Sequence, residues 1–216
     1  MWIKRAYKIY RLKQKQMGLL YYLPIGAVLV VLPLSFFCFF REEAGIYTLE
    51  TYKKLLGITQ TVIPFLSVFW LLFQLEEWLE IRKRELYGFV YKKPILTGFF
   101  YSGYFDLLLL PVYLFYDYYL RGYFYEYFRI ICICTFFQGA VLFLMFLTKS
   151  NMITVLWVIL YILFCTGTEK GGVVSYVAGM PADRVRDYCH SGIFLVMGMG
   201  LFLMAGWAKN SKGCIG

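Results

Sequence analysis

Few residues of this chain could take part in catalysis. The single histidine, His190, follows Cys189, and a Cys–His pair is the working unit of thiol proteases. Adjacent residues of a helix point about 100° apart, so these two side chains are poorly placed to share a proton. Cys132 and Cys134 lie among Ile and Phe, and their spacing does not place them on one face of a helix. We therefore expect no enzymatic activity and no metal site.

The chain lacks the sequence of a nucleotide-binding phosphate loop. No Gly-x-x-x-x-Gly-Lys-Ser/Thr segment is present, so the chain is not expected to bind ATP in that manner. We expect it to bind no cofactor. Any step driven by ATP must then take place on another polypeptide.

Polar side chains inside apolar segments are the candidates for a pathway. Gln74, Asp106 and Gln138 are such residues, and Asp106 is the only carboxylate deep inside an apolar segment. A charge at membrane depth is costly and normally faces protein or water. Asp106 is predicted to line a pathway or to make a helix–helix contact. The alternatives are that it lies nearer the membrane surface or is held by a neighbouring Tyr or Gln. A lone carboxylate argues against a proton-driven pump.

The composition indicates a membrane protein. Apolar residues make up 61% of the 216 residues and charged residues 16%, against about half and about a quarter in soluble domains. A helix needs about 20 residues to cross roughly 30 Å of hydrocarbon. We predict an all-α membrane protein with one transmembrane domain. Its six predicted spans are 19–40, 58–75, 95–116, 130–147, 152–166 and 191–208.

The net charge of +9 follows membrane topology, so we expect no nucleic-acid partner. Most Lys and Arg residues fall on the inner side if both termini are cytoplasmic. The first apolar run is long for a signal peptide and lacks a small-residue cleavage site, so it is predicted to remain as a span. We predict a multi-pass protein of the cell (plasma) membrane, and a bacterial one because no transit or retention signal is present.

Residues 1–17 are predicted to form an interfacial elbow helix. Four of its six basic residues are spaced four, three and four apart, which places them on one helical face. Such a helix lies in the headgroup layer with its basic side toward anionic lipid. The alternative is an ordinary basic tail. The residues concerned are Lys4, Lys8, Arg11 and Lys15.

The segment 76–94 is the one long charged stretch between apolar runs, and it is predicted to be cytoplasmic. Glu80 and Arg84 have the spacing of a helical ion pair. Span two either continues into the cytoplasm here, or a short helix lies along the membrane with its charges toward a partner. A solvated loop is the third alternative. The candidate partner-binding residues are Glu80, Arg82, Lys83, Arg84, Glu85, Leu86, Tyr87 and Gly88.

Two outer segments have distinct compositions. The Tyr-rich loop 117–127 is predicted to be an interfacial aromatic belt, with a substrate-stacking surface as the alternative. The Gly-rich segment 167–190 is predicted to form one or two short helices that dip into the outer leaflet, where they would line or cap a central space. A Cys165–Cys189 disulfide could close this segment.

Small residues within the predicted spans suggest close helix packing. They would let helix backbones approach one another, and a packing role is favoured over a ligand site. These residues are Gly98, Ser102 and Gly103 in span three and Gly192, Gly198, Gly200, Ala205 and Gly206 in span six.

This layout resembles the permease subunit of ABC-2 type exporters, also called type V ABC exporters. The resemblance covers the whole chain as a layout and the stretch 84–94 as sequence, where this chain carries more bulky aromatic residues. It is carried by the basic N-terminal helix, the re-entrant-like segment and the residues Glu77, Glu80, Arg84, Glu85, Leu86, Tyr87, Gly88, Lys93 and Pro94.

The resemblance implies a mechanism and partners. Two permease chains, the same or different, would enclose a translocation path, and separate ABC ATP-binding subunits carrying ATP and Mg²⁺ would dock on the cytoplasmic face. Those subunits would push on a coupling helix at about 78–90, and segment 171–187 would gate the exit. The alternative is a scaffold, immunity or sensor subunit that docks a soluble partner without transporting anything.

Overall fold

The computed structural model describes residues 18–42, 49–75, 94–167 and 185–211. Every regular element in these ranges is helical, which confirms the all-α class. The predictions for 1–17, 76–93 and 168–184 lie outside the described residues. The elements are α1 (Leu19–Gly26), a π-helical turn (Ala27–Val31), α2 (Leu32–Glu42), α3 (Leu49–Leu75), α4 (Pro94–Tyr119), α5 (Phe124–Thr148), α6 (Asn151–Gly167) and α7 (Val185–Ser211).

Three helices among the described residues are long and apolar enough to cross a membrane. The segments Leu49–Phe73, Gly98–Tyr119 and Phe124–Thr148 have 25, 22 and 25 residues and mean hydropathies of 1.9, 1.3 and 2.5. A helix of 25 residues is roughly 37 Å long, which exceeds the hydrocarbon thickness of about 30 Å. These segments indicate a membrane protein. Shorter apolar helices of 10–17 residues lie at Tyr22–Cys38, Asn151–Cys165 and Ser191–Gly206.

Helix α5 lies at the centre of the bundle. It contacts α3, α4, α6 and α7, and most extensively α7. All side chains from 132 to 142 are buried, as expected of a helix that is apolar on every side. By contrast, α6 exposes Leu156, Leu160 and Leu163, and an exposed apolar face of this kind suits contact with lipid.

The contact between α5 and α7 brings two backbones together. A Cβ atom added at Gly198 would lie 2.7 Å from the backbone of Thr135 and of Phe136, and one added at Gly139 would overlap the backbone of Gly198. Since Cβ atoms essentially never approach other atoms this closely, only glycine fits at these two positions without movement. Glycine is therefore what lets α5 and α7 pack backbone to backbone.

The predicted packing glycines divide into two groups. Gly198 and Gly98 do lie at close contacts, since a Cβ at Gly98 would be 2.9 Å from Leu142 Cδ1. A Cβ at Gly103, Gly192 or Gly200 would have no atom within 4 Å. The packing prediction is therefore wrong for these last three in the described chain.

A tight turn joins α4 to α5. The Asp117 carboxylate oxygen Oδ1 accepts hydrogen bonds of 3.0 Å from the backbone N–H groups of Gly122 and Phe124. Gly122 has φ of 88°, a left-handed conformation that favours glycine. Asp117 thus holds the turn and caps the first residue of α5, which makes the two helices antiparallel neighbours.

The Tyr-rich loop faces both inward and outward. Tyr118 and Tyr125 are 82% and 69% exposed, whereas Tyr123 is fully buried. Tyr123 therefore belongs to the core, and the prediction of a belt or stacking surface is wrong for this residue.

Candidate functional site

Asp106 and Gln138, both predicted pathway residues, lie in one seam between α4 and α5. The Ser102 hydroxyl donates a hydrogen bond to the Gln138 amide oxygen. One helical turn further along, the antiparallel register places Asp106 opposite Cys134. The polar seam is defined here as Ser102, Asp106, Cys134 and Gln138. The side chain of Gln74, the third predicted residue, lies outside the described part of the structure.

The register of the seam is fixed by contacts on both sides of it. Gly98 faces Leu142, and the rings of Tyr113 and Tyr127 are 5.4 Å apart. Both pairs have the same register as Ser102 and Gln138. The pairing is therefore continuous from the α4–α5 turn past the seam, and an i,i+4 repeat on each helix places the polar residues together.

The polar seam is only partly satisfied by hydrogen bonds. Asp106 Oδ1 and Gln138 Nε2 are buried and have no hydrogen-bond partner within the described residues. Burying a polar atom without a partner costs free energy, more so in a medium of low dielectric. An unpaired acceptor and an unpaired donor on the same seam are therefore candidates for binding another polar group.

The backbone around Asp106 is tied to α5. The Tyr127 hydroxyl donates a 2.8 Å hydrogen bond to the Asp106 carbonyl oxygen. The Asp106 carboxyl group lies opposite Cys134 in this register. No described cation makes an ion pair with it. The nearest basic residue along α5, Arg129, pairs with the Glu126 carboxylate at 3.5 Å.

A second polar contact lies nearer the turn. The hydroxyls of Thr59 and Tyr123 share a buried hydrogen bond of 3.1 Å, and the Thr59 hydroxyl also donates to the Leu55 carbonyl oxygen. The Tyr123 ring lies 5.6 Å from that of Tyr113 and 5.1 Å from that of Tyr52. Burial raises the pKa of Tyr123 well above its ordinary range, so the phenol stays neutral and serves as a hydrogen-bonding core residue.

The sequence did not predict the aromatic cluster of Tyr52, Tyr113 and Tyr123. Its only signal was the placement of tyrosines on both sides of a turn marked by Asp117 and Gly122. That turn brings Tyr123 back against Tyr113.

No cysteine of the described chain forms a disulfide. Cys132, Cys134 and Cys165 are buried, and Cys38 and Cys189 are exposed. The Cys165–Cys189 disulfide considered from the sequence is therefore absent. Within the ranges that the structure describes, no group of three or more His, Cys, Asp or Glu residues could hold a metal ion. The side chain of His190 is not among those that the structure describes.

Comparisons with protein-family models, with curated proteins and with solved structures give no match to this chain. Its function must be inferred from its own residues.

Proposed function

We propose that this chain is the membrane-spanning permease subunit of an ATP-driven exporter of the ABC-2 type. Three helices suited to crossing a membrane and the resemblance around 84–94 support this proposal. The observation that carries it is the polar seam, which places Asp106 and Gln138 together between two of those helices. Each has one buried polar atom without a hydrogen-bond partner among the described residues. Intramembrane polar groups of this kind mark substrate pathways in membrane proteins.

The proposed topology has six spans and both termini in the cytoplasm. The shorter apolar helices at Tyr22–Cys38, Asn151–Cys165 and Ser191–Gly206 supply the other three spans. In this topology the α4–α5 turn lies outside and segment 76–94 lies inside. The distribution of Lys and Arg supports this orientation, because basic residues concentrate on the cytoplasmic side.

The proposed energy source is a separate pair of ATP-binding subunits. The charged residues from Glu80 to Gly88 would contact them, the elbow helix would rest on anionic lipid, and a second permease chain would complete the path. The absence of a phosphate-loop sequence supports this division of labour.

The test is ATPase coupling in the assembled complex. The tagged chain is purified from its native membranes, and the ATPase activity that accompanies it is measured in proteoliposomes. Reversing four charges (Arg82→Glu, Lys83→Glu, Arg84→Glu and Glu85→Lys) should lower that activity several-fold or dissociate the ATPase.

A matched control carries Lys53→Glu and Arg121→Glu. Both residues are exposed, both lie on the proposed outer side, and the pair lowers the net charge by the same amount as the four reversals. This control should retain full activity. Equal activity in the two variants would contradict the coupling role. An intact complex that lacks ATPase activity would instead favour the scaffold, immunity or sensor alternative.

A further inference from the structure

Asp106 lies at the edge of the polar seam, next to an open part of the α4 surface. Its Oδ1 is buried, although the residue as a whole is partly exposed. Gly103 is three residues earlier, and a Cβ there would have no atom of the described residues within 4 Å. Residues three apart on a helix are neighbours on its surface. The open space at Gly103 therefore adjoins the Asp106 carboxyl group.

The opening faces the apolar surroundings of α4. Leu107, which follows Asp106, is 66% exposed, and Phe100, which precedes Gly103 by three residues, is 61% exposed. Both lie within Gly98–Tyr119, one of the segments suited to crossing a membrane. A molecule that reaches Asp106 by this route would arrive from the bilayer and would need apolar groups of its own.

The protein supplies no counter-charge for Asp106 among its described residues. The groups that face it from α5 are the Tyr127 hydroxyl, which donates to the Asp106 backbone, and Cys134, which the register places opposite it. The guanidinium of Arg129 is engaged by Glu126. An unpaired carboxylate at membrane depth gains most from a ligand that brings a positive charge.

One aromatic ring lies beside Asp106, and another lies on the face of α4 that carries the opening. Tyr127 is held against the Asp106 backbone by its hydrogen bond. Phe100 is exposed on the same face of α4 as Gly103. Aromatic faces attract cations and also provide apolar contact area.

We propose that Asp106, together with the opening at Gly103, binds a hydrophobic organic cation that enters from the bilayer. The carboxylate supplies the charge contact, and the neighbouring aromatic and aliphatic side chains receive the apolar substituents. An anion of the same shape is repelled by Asp106. The site deepens the proposed export function by naming a substrate class. It is tested on this chain alone, without ATP or an ATPase, so its failure would leave that function standing.

The test measures binding of tetraphenylphosphonium to the purified full-length chain in nanodiscs of zwitterionic phosphatidylcholine, by equilibrium dialysis. We expect saturable binding. Asp106→Asn keeps the shape of the side chain but removes its charge and should weaken binding about tenfold or more, since one charged contact is worth about that factor. Glu50→Gln removes an acidic charge from the exposed start of α3 and should leave binding unchanged.

A second variant and a second probe locate the site. Gly103→Leu fills the opening at a position with free space, so the chain should fold while binding weakens several-fold. Tetraphenylborate, an anion of the same shape, should show no saturable binding. Non-saturable binding of the cation, equal binding by the Asp106→Asn variant and the wild-type chain, or saturable binding of the anion would each overturn the proposal.

Discussion

Replacing Gly198 by alanine tests how α5 and α7 are held together. The new methyl group would meet three backbone atoms of α5, the Phe136 nitrogen and the Thr135 carbonyl carbon and oxygen, each at 2.7 Å. Carbon atoms in favourable contact are about 3.5 Å apart or more. The two helices must therefore separate locally by roughly 0.8 Å, because a backbone hydrogen-bonded within a helix cannot turn aside as a side chain can.

The expected cost follows from that separation. Overpacking a well-filled interior costs about 1–3 kcal/mol, and a radial gap of about 0.5–1 Å forfeits roughly a quarter to a half of each dispersion contact beside it. Alanine also favours a helix over glycine by about 1 kcal/mol. Gly200→Ala carries the same helical gain on the same helix, with no atom within 4 Å of its new methyl group. The difference between the two variants therefore isolates the packing term.

The assay is the free energy of unfolding in mixed micelles of mild detergent and SDS, followed by circular dichroism. Gly198→Ala should be less stable than Gly200→Ala by about 1–3 kcal/mol. Gly139→Ala should behave like Gly198→Ala, because it meets the same contact from the other side. If Gly198→Ala and Gly200→Ala unfold with free energies within about 0.5 kcal/mol of each other, the backbone contact between α5 and α7 is not what stabilises the pair.

Three further substitutions can be measured in the same unfolding assay. Ser102→Ala removes the only described partner of the Gln138 side chain and should lower the free energy of unfolding by about 1 kcal/mol. A double-mutant cycle with Gln138→Leu should give a coupling free energy of about 0.6 kcal/mol. A coupling of zero would contradict the contact. Asp117→Ala removes both hydrogen bonds that hold the α4–α5 turn and should cost about 1 kcal/mol, with Asp117→Asn recovering part of it; an Asp117→Ala variant as stable as the wild-type chain would show that the cap is unimportant. Tyr123→Phe should cost about 0.5–1.5 kcal/mol, toward the lower end because Thr59 keeps its backbone hydrogen bonds; a larger loss would mean that the phenol makes more contacts than this one.

The sequence was sufficient for the class of the protein because hydropathy is a sum over neighbouring residues. The long apolar runs around Phe65, Leu109 and Leu142 predicted helices that could cross a membrane, and the part of the chain that the structure describes contains three such helices. Asp106 and Gln138 were identified as candidates by the same local criterion, a polar residue in an apolar run.

The sequence could not show which of these residues meet. The prediction named Gly103, Gly192 and Gly200 as packing positions and omitted Gly139, although all four are glycines within helices. Whether a glycine lies at a close contact depends on how two helices are rotated about their axes. The hydropathy of neighbouring residues in the sequence does not determine that rotation.

The same limit applies to the functional residues. By itself the sequence determined an all-α membrane protein, a charged segment at 76–94 and a short set of intramembrane polar residues. Only the tertiary structure decided that Ser102 donates a hydrogen bond to the Gln138 amide oxygen and leaves the Gln138 amide nitrogen without a described partner. It also placed Asp106 in the same seam, beside the opening at Gly103, and buried Tyr123 in the core. These outcomes depend on the register across the α4–α5 turn, because a shift of one residue rotates a side chain by about 100° and would carry the polar groups out of the seam.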